Sequence, residues 1–441
     1  MKQETHRPWI PSHCRDFIAA LESHYSSCSS DELEQHIYKL ADKNKKIHEQ
    51  LCINLNPATN VMNPKAEALL ASGLGSRPSL GYPGDKYEMG LEAIEKIEVL
   101  TTNLVCEVFN ARYAEIRLGS GALANLYAFM ATTKPGDSII VPPPEIGGHV
   151  THHTDGAAGL YGLDIHYAPV DAENYTVDIS ALREQVKQVR PKLITIGGSL
   201  NLFPHPVSEI REIADEYEAY VHFDAAHLCG IIAGKAWPQP LEQGAHLMSF
   251  STYKSLGGPP SGLILTNDPD LAARIDQIAY PGLTANFDAA KSAALAMTLL
   301  DWKEFGTDYA KTMISTARAL AMALMDKNIP VFAADRNVTT SHQFAIKAKQ
   351  YGGGQTMAKL LRQANLLSCG IGLPIDPVSN DLNGLRLGTP EMVRWGMKPD
   401  DMPEIASFFS RVFVEGEVPE KVAKDVSDFR QRFNKLHFIR E

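Results

Sequence analysis

From about residue 91 onward, short apolar runs of strand length alternate with longer stretches of helical spacing, and this limits the fold more than any other feature of the chain. Leu91–Phe109 has helical periodicity, Ala114–Leu118 reads as a strand, Gly121–Thr133 as a helix and Ser138–Val141 as the next strand. Leu193–Ile196, Tyr220–Phe223 and Leu247–Phe250 read as further strands, with a helix over 208–218. Such alternation predicts an α/β fold, a mainly parallel sheet with helices on both faces. Gly262–Thr266 follows Leu247–Phe250 too closely for a crossover helix, so that pair is expected to be antiparallel. Sites in such sheets gather at the carboxyl ends of the strands.

Ser120, Asp224 and Lys254 fall at or just after such ends. Lys254 lies in Ser251-Thr252-Tyr253-Lys254-Ser255-Leu256-Gly257-Gly258, thirty positions after Asp224 of Phe223-Asp224-Ala225-Ala226-His227. A lysine that can form a Schiff base with an aldehyde, and a carboxylate that can keep a pyridine ring protonated, are the two groups a pyridoxal phosphate (PLP) site requires. Gly119-Ser120-Gly121-Ala122 joins a strand to a helix, where backbone N–H groups and the Ser120 hydroxyl suit a phosphate. Singly, these are a solvated lysine, a capping aspartate and a glycine-rich turn. Together and in this order they point to PLP.

His149, in Gly147-Gly148-His149-Val150, is either a ring that stacks on the cofactor or an ordinary core histidine. His227 falls near the cofactor's other polar edge. His152 and His153 are adjacent, but no motif supplies a third ligand, so no metal site is expected. Arg386, in Gly384-Leu385-Arg386-Leu387-Gly388, is either a fork for a substrate carboxylate or the outer side of a strand.

The chain has 441 residues, 44% hydrophobic and 21% charged, with a net charge of −10. The negative balance speaks against a nucleic-acid partner. Six cysteines without CxxC or zinc spacing read as reduced thiols. No apolar leader follows Met1–His6 and no apolar run is long enough for a bilayer, so the expectation is a cytoplasmic protein with no membrane partner. The organisation expected is an N-terminal arm over 1–75, a large domain over 76–312 and a small C-terminal domain over 313–441. The arm runs into a loop-rich stretch, 53–90. A helix over Asp288–Lys303 leads to the small domain, with Val338–Ile346 as strand and Met357–Ala364 as helix.

From about Ile53 to Pro390 the chain resembles a fold-type I PLP enzyme of the serine hydroxymethyltransferase group. Gly81-Tyr82-Pro83-Gly84 resembles the family's Glu-Gly-Tyr-Pro-Gly, and Ser120-Gly121-Ala122-Leu123-Ala124-Asn125 its phosphate loop. Gly147-Gly148-His149-Val150-Thr151-His152 resembles Gly-Gly-His-Leu-Thr-His. The resemblance implies a mainly parallel seven-stranded sheet with a smaller C-terminal α+β domain. It implies cofactor contacts from Ser120, Gly121, Ala122, His149, Ser199, Asp224, His227 and Lys254, with Lys254, Asp224 and His149 catalytic. Arg386 matches the carboxylate-binding arginine. Tyr280-Pro281-Gly282 resembles a segment after which the backbone, here Ala285 and Asn286, reaches the phosphate of a neighbouring subunit. A homodimer or dimer of dimers with shared active sites is implied.

The departures bear on the reaction. The family's proton-handling glutamate before Gly-Tyr-Pro-Gly is Leu80 here, a later tyrosine is Glu88, a serine near the substrate carboxylate is Asn54, and Gly-Pro-Arg-Gly becomes Gly258-Pro259-Pro260-Ser261. The cofactor pocket is kept while the substrate pocket, with Arg386, Asn54 and Glu88, is rewritten. The expectation is a folate-independent aldolase or transaldolase that cleaves or forms the Cα–Cβ bond of a β-hydroxy-α-amino acid. The alternatives are β-elimination, decarboxylation-coupled deamination or racemisation on the same scaffold, or a noncatalytic protein with this fold.

Overall fold

The computed structural model describes residues 7–441. Met1–His6, read above as lacking an apolar leader, lie outside the described residues. Two helices open the chain, α1 (Ser12–Ser26) and α2 (Ser30–Lys46), and neither buries a residue. Ser29 caps α2: its hydroxyl accepts from the Glu32 N–H while the Glu32 carboxylate takes the Ser29 N–H, which satisfies two otherwise free donors.

The central sheet has seven strands: β1 (Tyr113–Leu118), β2 (Ser138–Val141), β3 (Asp164–Tyr167), β4 (Leu193–Ile196), β5 (Tyr220–Asp224), β6 (Leu247–Ser251) and β7 (Gly262–Thr266). Their order is β1-β7-β6-β5-β4-β2-β3. All run parallel except β7, which is antiparallel to both β6 and β1, as its short connection requires. Every residue of β4, β6 and β7 is buried. Sheets covered on both faces carry such continuous apolar runs rather than alternation.

The covering helices include α3 (Ile94–Phe109), α4 (Gly121–Thr132) and α5 (Ala289–Asp326). The helix expected over Asp288–Lys303 is α5, and it continues to Asp326. Its buried residues recur at helical spacing through Trp302, Gly306, Tyr309, Met313, Ala317, Leu320 and Leu324. Leu295, Leu299, Tyr309 and Met313 belong to the core of the large sheet, whereas Ala317, Leu320 and Leu324 belong to a second core. The boundary expected at 312/313 therefore falls inside one helix that serves both cores.

That second core contains the sheet β8 (Gln343–Lys347), β9 (Cys369–Ile371) and β10 (Gly384–Gly388), ordered β8-β10-β9 and antiparallel throughout. The strand expected from Val338 begins five residues later, at Gln343. Asn337 and Val338 have φ of 58° and 63°, a left-handed backbone that cannot continue a strand. The expected helix over Met357–Ala364 is α6, Gly354–Gln363.

The segment expected as one arm, 1–75, divides. Ile53–Asn54 pairs in parallel with Leu366–Leu367, and Ile53 and Leu55 are buried in the second core. Among the described residues of this segment, α1 and α2 bury no side chain. Asn54 also donates to Oε2 of Glu391 at 2.7 Å, on the short helix α7 (Pro390–Arg394). Burial pushes the Glu391 carboxyl up to about 7, against the Asn54 bond and the Arg430 charge. A carboxyl raised on folding stabilises most when protonated, and that contribution is lost as pH rises from about 4.5 through about 7. Glu391→Gln should thus gain on the parent protein as pH rises, by on the order of 3 kcal/mol between pH 5 and 8. Denaturant unfolding of both at each pH checks this; a gap that does not widen contradicts it.

Candidate active site

Asp224 ends β5 at the centre of the sheet, is 2% exposed, and is fully hydrogen-bonded. Its Oδ2 accepts from His152 Nε2 at 2.9 Å and Asn125 Nδ2 at 3.0 Å, and its Oδ1 from the Ala226 N–H at 3.0 Å. Burial alone would raise this carboxyl, but the His152 bond and charge outweigh it and hold Asp224 well below the usual carboxylate range. Asn125 is fixed in turn: its amide donates to Thr151 Oγ1 at 2.8 Å and its carbonyl accepts from Ser249 Oγ at 2.6 Å. Asn125 lies one turn after Gly121 on α4, so both face the strand ends.

Ser120 caps α4, accepting from the Leu123 N–H at 3.2 Å. The first N–H groups of any helix have no partner within it, and Gly121 and Ala122 line the cavity beside Asp224. A Cβ at Gly121 would come within 2.2 Å of Ser251 Oγ. Glycine here leaves the Ser251 hydroxyl its place where the start of α4 meets β6.

Lys254 follows β6 and is buried, its Nζ 3.3 Å from His227 Nε2. Burial brings the amine down to about 8, with Asp224 opposing and the Arg386 charge adding to the effect. His227 Nε2 also faces Arg386 Nη1 at 3.3 Å. An arginine only donates, so this nitrogen accepts and the proton sits on Nδ1. Burial, with Lys254 and Arg386 nearby, holds His227 neutral, well below its ordinary range. Its Nδ1 is buried without a partner. His149 Nδ1 bonds Thr151 Oγ1 at 2.9 Å, and burial lowers that ring to about 4.

The structure brings Ser120, Gly121, Ala122, His149, Ser199, Asp224, His227 and Lys254 around one cavity. Arg386, on β10, reaches the same cluster through the Ser199 carbonyl and His227. Asn54 and Glu88 neither line it nor bond this cluster, and Ala285 and Asn286 were expected at the phosphate of a neighbouring subunit. Asn54 has spent its amide on Glu391 and on Thr59 Oγ1, the latter at 2.8 Å. Glu88 is half-buried outside the cavity with Oε2 unpartnered, Ala285 is half-buried and Asn286 exposed. Residues the sequence reading missed are Asn125, Ser251, Tyr253 and, beside Arg386, Asn56 and Cys369. Ser249 and Ser251, two apart on β6, share the face toward α4. That period was the available signal. His152 serves Asp224; no cluster able to hold a metal occurs among the described residues.

This donor set fits PLP. A helix start with a capping serine suits the phosphate, an ionised buried carboxylate suits a pyridinium nitrogen, a partly deprotonated lysine suits the aldehyde, and the free His227 Nδ1–H is a donor awaiting an acceptor. Because the free amine is the nucleophile, covalent attachment of PLP to the cofactor-free protein should speed up as pH rises through about 8 and level off above it. Stopped-flow reconstitution checks this; a rate still climbing beyond pH 10 contradicts it.

The family model described as serine hydroxymethyltransferase matches residues 31–409. An alpha-methylserine aldolase from Ralstonia sp is 59% identical over 434 residues, 98% of this chain and 99% of the relative. A serine hydroxymethyltransferase from Methanopyrus kandleri is 37% identical over 398 residues, 89% of this chain and 93% of the relative. The crystal structure of L-threonine transaldolase from Pseudomonas fluorescens superposes with a TM-score of 0.84 at 22% identity, covering 96% of each chain, which shows a shared fold.

Proposed function

Because this chain belongs to the serine hydroxymethyltransferase family, we propose that it is a PLP-dependent aldolase whose substrate is α-methylserine or a close β-hydroxy-α-amino acid. The observation that carries this is the 59% identity to alpha-methylserine aldolase across 98% of the chain, supported by a cavity lined by Ser120, His149, Asp224, His227 and Lys254. The reaction would be α-methylserine giving alanine and formaldehyde. The hydroxyl proton leaves, the Cα–Cβ bond breaks, and a proton returns to Cα.

When bound, PLP supplies an aldehyde for attachment and an electron-poor ring that takes up the electron pair freed at Cα. The protein's residues do the rest. Lys254 anchors the cofactor. Asp224, kept ionised by His152 and Asn125, holds the proton on the ring nitrogen. Ser120, Gly121 and Ala122 hold the phosphate, and Ser199 and the His227 Nδ1–H hold the oxygen edge. Arg386 pairs with the substrate carboxylate. His149, neutral because it is buried and held by the Thr151 N–H on Nδ1, is the ring placed to lie against the cofactor.

Leu80, where the family has glutamate, removes the group that manages protons in transfer to folate, and supports a folate-independent reaction. A second copy of the chain would bring Ala285 and Asn286 to the phosphate of its partner. An apolar groove beside Ala122, with Leu160 85% and Leu283 52% exposed, supports such a dimer. Among the described residues no helix is long and apolar enough to cross a membrane, and the proposed location is the cytoplasm.

The test is to incubate the holoenzyme with α-methylserine in the absence and presence of tetrahydrofolate, and to measure alanine and formaldehyde. Equal formation of both products in each case is expected. A strict need for tetrahydrofolate would overturn the folate-independent reading, and release of pyruvate or carbon dioxide instead would overturn the aldolase.

A further inference from the structure

The Arg386 guanidinium is hydrogen-bonded through Nη1 and only half-bonded along its Nε–Nη2 edge. Nη1 donates to the Ser199 carbonyl and faces His227. Nε has no partner although the residue is only 6% exposed. Nη2 donates to Cys369 Sγ at 3.1 Å. Nε and Nη2 form one edge of the planar group, and such an edge takes a carboxylate through two parallel hydrogen bonds.

We propose that Cys369 is a positioning residue that sets substrate affinity: its sulfur occupies half of the open edge of Arg386 as a weak acceptor, and a substrate carboxylate displaces it. This rests on the reading of Arg386 as the carboxylate-binding residue.

Cys369 and Arg386 are direct partners across β9 and β10, and the residue opposite Arg386 on β8 is Ala345, which offers no polar group. Cys369 is thus the cross-strand side chain that touches the guanidinium. Its S–H points elsewhere, to Asn56 Oδ1 at 3.4 Å, and that oxygen is held by the Ala58 N–H at 3.0 Å. With the proton turned to Asn56, the sulfur lone pairs are left for Nη2. The choice of a thiol follows from the competition. An aspartate at 369 would pair permanently with both Nε and Nη2 and close the fork. A serine hydroxyl is a stronger acceptor than sulfur and would hold Nη2 more firmly. A thiol keeps the guanidinium in place while yielding to an ionised ligand.

The experiment compares holoenzyme variants by calorimetric titration with alanine and by KM and kcat on α-methylserine. Dissociation constant and KM should rise in the order parent, Cys369→Ser, Cys369→Asp, reaching at least about tenfold for the aspartate, with kcat moving less than KM. Cys369→Asp binding alanine as tightly as the parent would overturn the proposal. A measurement on the unaltered protein covers the case in which that variant does not fold. Saturating alanine should slow methylthiolation of Cys369 by methyl methanethiosulfonate, read by peptide mass spectrometry, and leave Cys106 unchanged; no protection of Cys369 would also overturn it. Arg386→Lys separates the two levels. If alanine affinity is unchanged in that variant, the reading of Arg386 itself fails; if it falls while the Cys369 series stays flat, only the role of the thiol fails.

Discussion

A carboxylate buried at the end of the central strand, and kept ionised there, is what the remainder of this structure is arranged around. Taking a charge out of water is unfavourable unless it is bonded. Asp224 meets that condition with His152, Asn125 and the Ala226 N–H. Each partner arrives on a different element: β5 carries the acid, α4 carries Asn125, and the turn after His149 carries His152. The bonds continue outward through Ser249 to His222, whose Nε2 lies 2.7 Å from the Ser249 hydroxyl. The order of strands and the register of α4 are therefore fixed by polar bonds as well as by apolar packing. The same start of α4 opens onto the cavity where a phosphate fits.

The second unit is tied to this centre by α5, which serves both cores, and by Arg386, which bonds the Ser199 carbonyl. The groups proposed to bind cofactor lie on the large sheet, and the group proposed to bind substrate comes from the small one. Substitutions in the small sheet, such as Cys369 beside Arg386, can alter the substrate without disturbing the network around Asp224.

Much of this was legible in the sequence because strand ends announce themselves. Strand-like runs marked six of the seven strands; β3, Asp164-Ile165-His166-Tyr167, has only Ile165 as an aliphatic residue and went unread. Ser120, Asp224 and Lys254 were found because they follow such runs. The amide of Asn54 is taken up by Glu391, 337 residues away, a pairing that leaves no local pattern. Cys369 is brought to Arg386 by strand pairing and Asn56 to Cys369 by a loop, neither of which leaves a local pattern. The length of α5 was underestimated because its buried face changes partners midway while the helix itself continues.

The central claim is that Lys254 and Asp224 define a PLP site, with the lysine as the point of attachment. Borohydride reduction of the PLP-loaded protein, followed by peptide mapping, tests it most directly. The account predicts a single phosphopyridoxyl label on Lys254. Label on another lysine, or a protein that takes up no PLP, would contradict it.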